Sequence, residues 1–159
     1  MNYVFLDVDG VLNNKNHYKR QHKKYGGRYC CENMPFNPRS LRNLQKIIMK
    51  TDAKIILTSS WRHSENAMRV LEARLIEYGL KVSDKTGIDK DLKRGMEIRT
   101  YLRENIEIET IYADNQVIEC RLPKYDSFII IDDEVKDIKN YFGDAYVVHT
   151  DWRKRSNIF

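Results

Sequence analysis

Glycine, proline and cysteine are all scarce here: seven, three and three among 159 residues. With 42% hydrophobic and 32% charged residues beside so little Gly and Pro, the composition argues against disorder and fits a folded protein with a continuous core. Cys30, Cys31 and Cys120 are odd in number and lack a C-x-x-C spacing, so neither a disulfide framework nor a zinc site is suggested. The adjacent Cys30 and Cys31 are expected as reduced thiols. No apolar run approaches the ~18 residues of a membrane span. No basic leader with a cleavage site precedes the first apolar segment. A single cytoplasmic domain over residues 1–159 is therefore expected, without linker or membrane contact. A formal charge of +5 and a pI near 9.0 are compatible with an anionic partner and specify none.

What is present begins at Tyr3-Val4-Phe5-Leu6, an apolar run that reads as a strand buried on both faces, as in a parallel sheet. It stops at Asp7-Val8-Asp9-Gly10. Side chains alternate along a strand, so Asp7 and Asp9 leave its end pointing the same way, and Gly10 permits an immediate turn. Two neighbouring carboxylates are costly unless a divalent cation or a shared proton neutralises them. A solvated acidic turn is the plain alternative.

Residues 13–36 then read as a polar, irregular basic flap. Lys15, Lys19, Arg20, Lys23, Lys24 and Arg28 occur without one acid, interleaved with His17, Tyr18, His22 and Tyr25. Lys19, Arg20, Lys23 and Lys24 are the candidates for tracking substrate phosphates, with the tyrosines available for base stacking. A solvated loop is the alternative. Asn37 and Pro38 look like the cap and first turn of an amphipathic helix ending near Lys50. A second buried strand over 53–57 ends at Thr58-Ser59-Ser60-Trp61-Arg62, where hydroxyls and the Arg62 guanidinium are placed to bind an anion. A helix follows from about Ser64, then a short strand over 80–82 and a loop over 83–93. Lys93 and Arg94 open the next helix against its dipole, which marks them as serving a site unless they are plain surface charge. Alternating residues 109–122, around Asp114-Asn115, predict a β-hairpin insertion within 107–124. A third buried strand over 128–131 ends at Asp132-Asp133, with Asp137 four residues on. A last helix and a strand over 146–148 complete the chain.

Buried strands alternating with amphipathic helices predict a doubly wound α/β sheet with helices on both faces, whose ligands sit at the carboxyl ends of the strands. The two acid pairs and the Thr58-Ser59 hydroxyls lie at such ends, and Lys93 and Arg94 lead toward the third strand. Asp7 and Asp133, with Asp132 or Asp137, form a hard oxygen set suited to Mg2+. A strand-end hydroxyl and a cation then complete the surround of a phosphoryl group. Asp7 can attack phosphorus to give an aspartyl-phosphate, and Asp9 can protonate the leaving oxygen.

These motifs resemble those of the haloacid dehalogenase (HAD) superfamily of phosphohydrolases: Asp7-Val8-Asp9-Gly10-Val11, Thr58-Ser59-Ser60, Lys93-Arg94, and Asp132-Asp133 with Asp137. The resemblance spans nearly the whole chain. It is similar above all to the small HAD-like domains of RNA-repair proteins, through Phe36-Asn37-Pro38, Ile56-Leu57-Thr58-Ser59-Ser60-Trp61-Arg62 and Arg94-Gly95-Met96-Glu97-Ile98 as well, and also to the 3′-phosphatase domain of polynucleotide kinases. It implies a Rossmann-like fold without a large cap, with Asp7 as nucleophile and metal ligand. Asp9 is then the general acid/base and lends its carbonyl to Mg2+. Thr58 binds the phosphoryl oxygen, Arg94 or Lys93 neutralises the phosphoaspartate, and Asp133 completes the metal site with Asp132 and Asp137 in support. The implied substrate is a phosphorylated nucleic acid end, at its 3′ terminus, with no obligate protein partner. A mononucleotide phosphatase and a non-catalytic nucleic-acid-binding module are the alternatives.

Overall fold

A computed structural model describes residues 1–26, 36–87, 93–106, 109–113, 116–121, 127–151 and 153. Its main sheet is five-stranded and all parallel, in the order β3-β2-β1-β6-β7: β1 Asn2–Leu6, β2 Lys54–Leu57, β3 Val82–Lys85, β6 Ser127–Asp132 and β7 Val147–His149. Helices α2 Pro38–Thr51, α3 Glu65–Ile76, α4 Arg94–Asn105 and α5 Lys136–Phe142 occupy the crossovers. The doubly wound architecture is as expected.

Alternation along the strands divides the core in two. Val4, Leu6, Ile55, Leu57 and Ile131 pack with Leu41 and Leu44 of α2 and Leu71 and Leu75 of α3. Phe5, Ile56 and Ile130 point the other way and pack with Ile98, Tyr101 and Leu102 of α4 and Ile138 of α5. Each central strand thus buries both faces, which is why these segments read as unbroken apolar runs. Gly95 brings α4 against α5: a Cβ there would lie 2.6 Å from the Tyr141 ring and 3.0 Å from the Asp137 carbonyl oxygen.

Two expectations change. Residues 15–25, expected as irregular flap, form helix α1 Lys15–Tyr25. It has no apolar stripe for periodicity to detect, and His17 is its one buried residue. Its ends are nevertheless well specified. The Asn14 side chain accepts from the His17 N–H at 2.9 Å, and Gly26 closes the helix in the left-handed region at φ 67°. The interior is built from good helix formers, Lys, Arg and Gln, with basic residues in the last turn. Residues 27–35 of the expected flap, including Arg28, Cys30 and Cys31, lie outside the described residues. The second change is β3, which sits at 82–85, mostly inside the expected loop of 83–93. It is an edge strand of largely exposed polar residues, so burial leaves no mark on its sequence. A 3-10 turn, Ser60–His63, joins the end of β2 to α3, which starts after Ser64 as expected.

The hairpin expectation holds: β4 Glu109–Ala113 and β5 Gln116–Arg121 pair antiparallel in a separate two-stranded sheet. No helix is long and apolar enough to cross a membrane among the described residues.

Ile98 is fully buried between α4 and the sheet. Ile98→Ala should lower unfolding free energy by about 2–5 kcal/mol in a denaturant titration; a change near zero would contradict its place in the core.

Candidate active site

The sheet register assembles the site. Leu6 pairs with Leu57 on one side and Ile131 on the other, so the next residues in line are Thr58, Asp7 and Asp132. The ladder continues through them: Asp7 N–H donates to the Ile131 carbonyl at 3.0 Å and Thr58 N–H to the Leu6 carbonyl at 2.9 Å. Because Phe5, Ile56 and Ile130 face α4, Asp7, Thr58 and Asp132, two residues on in each case, fall on the same side. That side receives the first residue of α4. Arg94 Nη1 lies 2.7 Å from Asp132 Oδ2 and 3.3 Å from Asp7 Oδ1, joining two buried carboxylates from neighbouring strands. The Ser59 hydroxyl nearby also favours the ionised form of Asp7. The Thr58 hydroxyl is buried and has no hydrogen-bond partner, leaving a donor free beside the Asp7 carboxylate.

Burial pushes the Asp7 carboxyl up to about 7, against the pull of Arg94 and with repulsion from Asp132. Burial raises Asp132 too, and Arg94 opposes it. Asp133 is pushed up to about 6 by burial and by the negative charges of Asp132 and Glu134. Burial alone would depress Arg94, but Asp7 and Asp132 outweigh it and hold the guanidinium firmly charged. One cation among three acids leaves the cluster short of positive charge. Asp7, Asp132 and Asp133 each offer an oxygen, all within 4.8 Å of one another, a spacing that could hold a metal ion. Hard oxygen donors, elevated proton affinity and missing positive charge fit a small divalent cation.

Residues 3–154 match the family described as the HAD domain in Swiss Army Knife RNA repair proteins. The chain belongs to this family. Among solved structures, a chain of the Pnkp1/Rnl/Hen1 RNA repair complex shares the fold of this HAD domain, with a TM-score of 0.53 and 18% sequence identity. The match covers 97% of the HAD domain chain and 43% of that one, so the present chain spans less than half the length of the chain it resembles. No curated protein matches it in sequence.

Of the residues singled out in the HAD domain sequence, Asp7, Thr58, Ser59, Arg94, Asp132 and Asp133 come together. Between the two candidate cations, Arg94 reaches the acids, whereas Lys93 occupies the N-cap of α4 without a capping bond and borders a cavity beside Arg94. Asp9 is exposed, and its Oδ2 accepts from Trp61 Nε1 at 2.9 Å; its carboxylate is not in the acid cluster. Asp137 is not in the cluster either. Its Oδ2 accepts from the Gly95 N–H at 2.8 Å, capping α4 from the neighbouring helix and setting a negative charge where the dipole favours one. Arg62, expected to bind substrate, is buried: it donates to the carbonyls of Thr58 and Gly87 and pairs with Glu97 Oε2 at 2.7 Å. It ties the β2 end to α4 one turn after Arg94. Lys19, Arg20, Lys23 and Lys24 are exposed on α1.

Two site residues of this HAD domain escaped the sequence reading. Glu97 lies three residues after Arg94, on the same face of α4, and that spacing was the available signal. Trp61 is buried, with its ring tilted against Phe36 at 5.3 Å between ring centroids; a buried indole N–H demands an acceptor, and here it finds Asp9.

Gly10 has φ +80°, and a Cβ there would overlap the Asp133 carboxyl. Gly10→Ala should therefore weaken divalent-cation binding by about 10–100-fold in a calorimetric titration, the usual cost of disturbing a ligand's support. The raised acids also set a pH dependence. Between about pH 4 and about pH 7 the folded, metal-free chain binds more protons than the unfolded one, so stability falls as pH rises through that window. Thermal unfolding of metal-free protein should show a declining Tm there, flatter in Asp7→Asn; a rising Tm that Asp7→Asn leaves unchanged would contradict the raised carboxyls.

Proposed function

We propose that this chain is a Mg2+-dependent phosphatase that removes a terminal 3′ phosphate from nucleic acid ends through an aspartyl-phosphate. The observation that carries the reading is the buried Asp7 carboxylate held by Arg94, beside the unpartnered Thr58 hydroxyl and within reach of Asp132 and Asp133. That is a nucleophile, two groups for phosphoryl oxygens and a cation-binding acid set in one place.

An Asp7 oxygen attacks phosphorus as the bond to the leaving oxygen breaks, and Asp9 supplies the proton that the leaving oxygen needs. Trp61 holds Asp9 at the site's exposed side. Arg94 and the Thr58 hydroxyl stabilise charge on the non-bridging oxygens. Asp9 then takes a proton from water, which attacks phosphorus, releases phosphate and regenerates Asp7. Asp7, Asp133 and Asp132 would hold Mg2+, which when bound would supply the positive charge that the phosphoryl group and three carboxylates require. Membership in a family named for RNA repair proteins supports a nucleic acid end as substrate. So does α1, whose Lys19, Arg20, Lys23 and Lys24 are exposed, follow the Asp9 turn directly and have no acid among them, a surface suited to successive phosphates.

Asp7→Asn should abolish phosphate release while the protein stays folded by circular dichroism, because the change removes a nucleophile and no core packing. Undiminished hydrolysis of a chromogenic phosphate ester by this variant would overturn the mechanism. Wild-type release from 3′-phosphorylated RNA should exceed release from 5′-phosphorylated RNA and from a mononucleotide; a preference for the mononucleotide would transfer the chain to the nucleotidases.

A further inference from the structure

Beside Arg94, a cavity of about 760 Å³ opens between the 3-10 turn after β2 and the first turns of α4 and α5. Its size is that of a small-ligand pocket, more than a single phosphate fills. Ser60, His63, Lys93, Arg94, Lys136 and Asn140 line it, with Arg62 behind them. Three acids also border it, yet two are engaged elsewhere: Glu97 pairs with Arg62, and Asp137 accepts from Gly95 N–H. Exposed Glu134 is left facing two exposed lysines, Lys93 and Lys136, and the exposed His63. Four cations, Arg62, Lys93, Arg94 and Lys136, outnumber the three acids in the wall, so the cavity favours an anion.

The cavity and the reaction centre share a wall. Arg94 lines one and reaches Asp7 and Asp132 in the other, so the cavity adjoins the place that a phosphoryl group at Asp7 would take. A nucleic acid end carrying a 3′ phosphate bears its next negative charge on the 5′ oxygen of the same nucleoside. We propose that this cavity is a second phosphate subsite, in which Lys136 and His63 bind the 5′-side phosphate of the terminal nucleotide. The inference rests on the phosphatase reading and extends it: the enzyme selects a strand end over a nucleoside with one phosphate. Lysine acts here as a point charge and histidine as a hydrogen-bond donor, so the subsite senses charge and not base.

The test compares a nucleoside 3′-monophosphate with the corresponding 3′,5′-bisphosphate, which differ only in the group that the cavity would hold. Wild-type protein with Mg2+ should favour the bisphosphate by about tenfold in kcat/KM, the worth of one charge-assisted contact. The double variant His63→Ala/Lys136→Ala should lose that preference through KM, while 3′-monophosphate turnover stays within about twofold, as for exposed substitutions. Lys136→Glu should turn the preference into discrimination against the bisphosphate. A wild-type enzyme indifferent to the 5′ phosphate, or variants that keep the preference, would overturn the subsite and leave the phosphatase reading intact. Absence of metal-dependent release from both compounds and from a 3′-phosphorylated oligonucleotide would instead overturn the phosphatase reading.

Discussion

The Arg94 guanidinium, clasped between Asp7 and Asp132, is the contact on which the site depends. Two carboxylates buried at adjacent strand ends repel one another and lose hydration, and leaving such charges unpaired typically costs about 3–5 kcal/mol. Arg94 offsets part of that cost in the metal-free chain. It does not offset all of it, since Asp7 and Asp133 keep an elevated proton affinity. The remaining deficit of positive charge is what makes the cluster receptive to a cation.

Everything around Arg94 fixes its position. Asp137 caps the start of α4, Gly95 lets α5 approach, and the buried Arg62–Glu97 pair anchors the end of the first turn of α4 to the Thr58 and Gly87 carbonyls. Three residues that a motif-based reading assigns to metal or substrate thus divide their duties: Asp133 stays in the acid cluster, while Asp137 and Arg62 hold the helix that delivers the cation. This matters for mutagenesis, because loss of activity in Arg62 or Asp137 variants reports on the placement of Arg94 and Thr58 as much as on contact with substrate.

Much of this was legible beforehand. The central strands announce themselves because burial on both faces forces continuous apolar runs, and the polar residues that end them stand out by contrast. Strand β3 did not, because an exposed edge imposes no apolar pattern, and α1 did not, because its specification lies in Asn14, Gly26 and backbone propensity instead of in a buried stripe. The choice between Lys93 and Arg94 was open for a similar reason: a one-residue step around a helix start is invisible until the helix is docked. The fates of Arg62 and Asp137 were hidden because a charged residue near a motif looks alike in sequence whether it meets a ligand or a carbonyl. Family membership and fold agree with the resemblance carried by the four motifs.

The pleat of β1 carries one more implication. Phe5 and Asp7 share a face, as do Ile56 and Thr58, and Ile130 and Asp132, so greasy packing underneath and reactivity on top obey a single count of two. Inserting or deleting one residue inside any of these strands would rotate the reactive group toward α2 and α3 and, in the same stroke, turn an oily side chain out of its layer. Errors of this kind would be eliminated as misfolded chains whatever the acid cluster does. Length can therefore drift in the connecting segments of such a protein, whereas the strands that feed its centre are held to parity by the core itself.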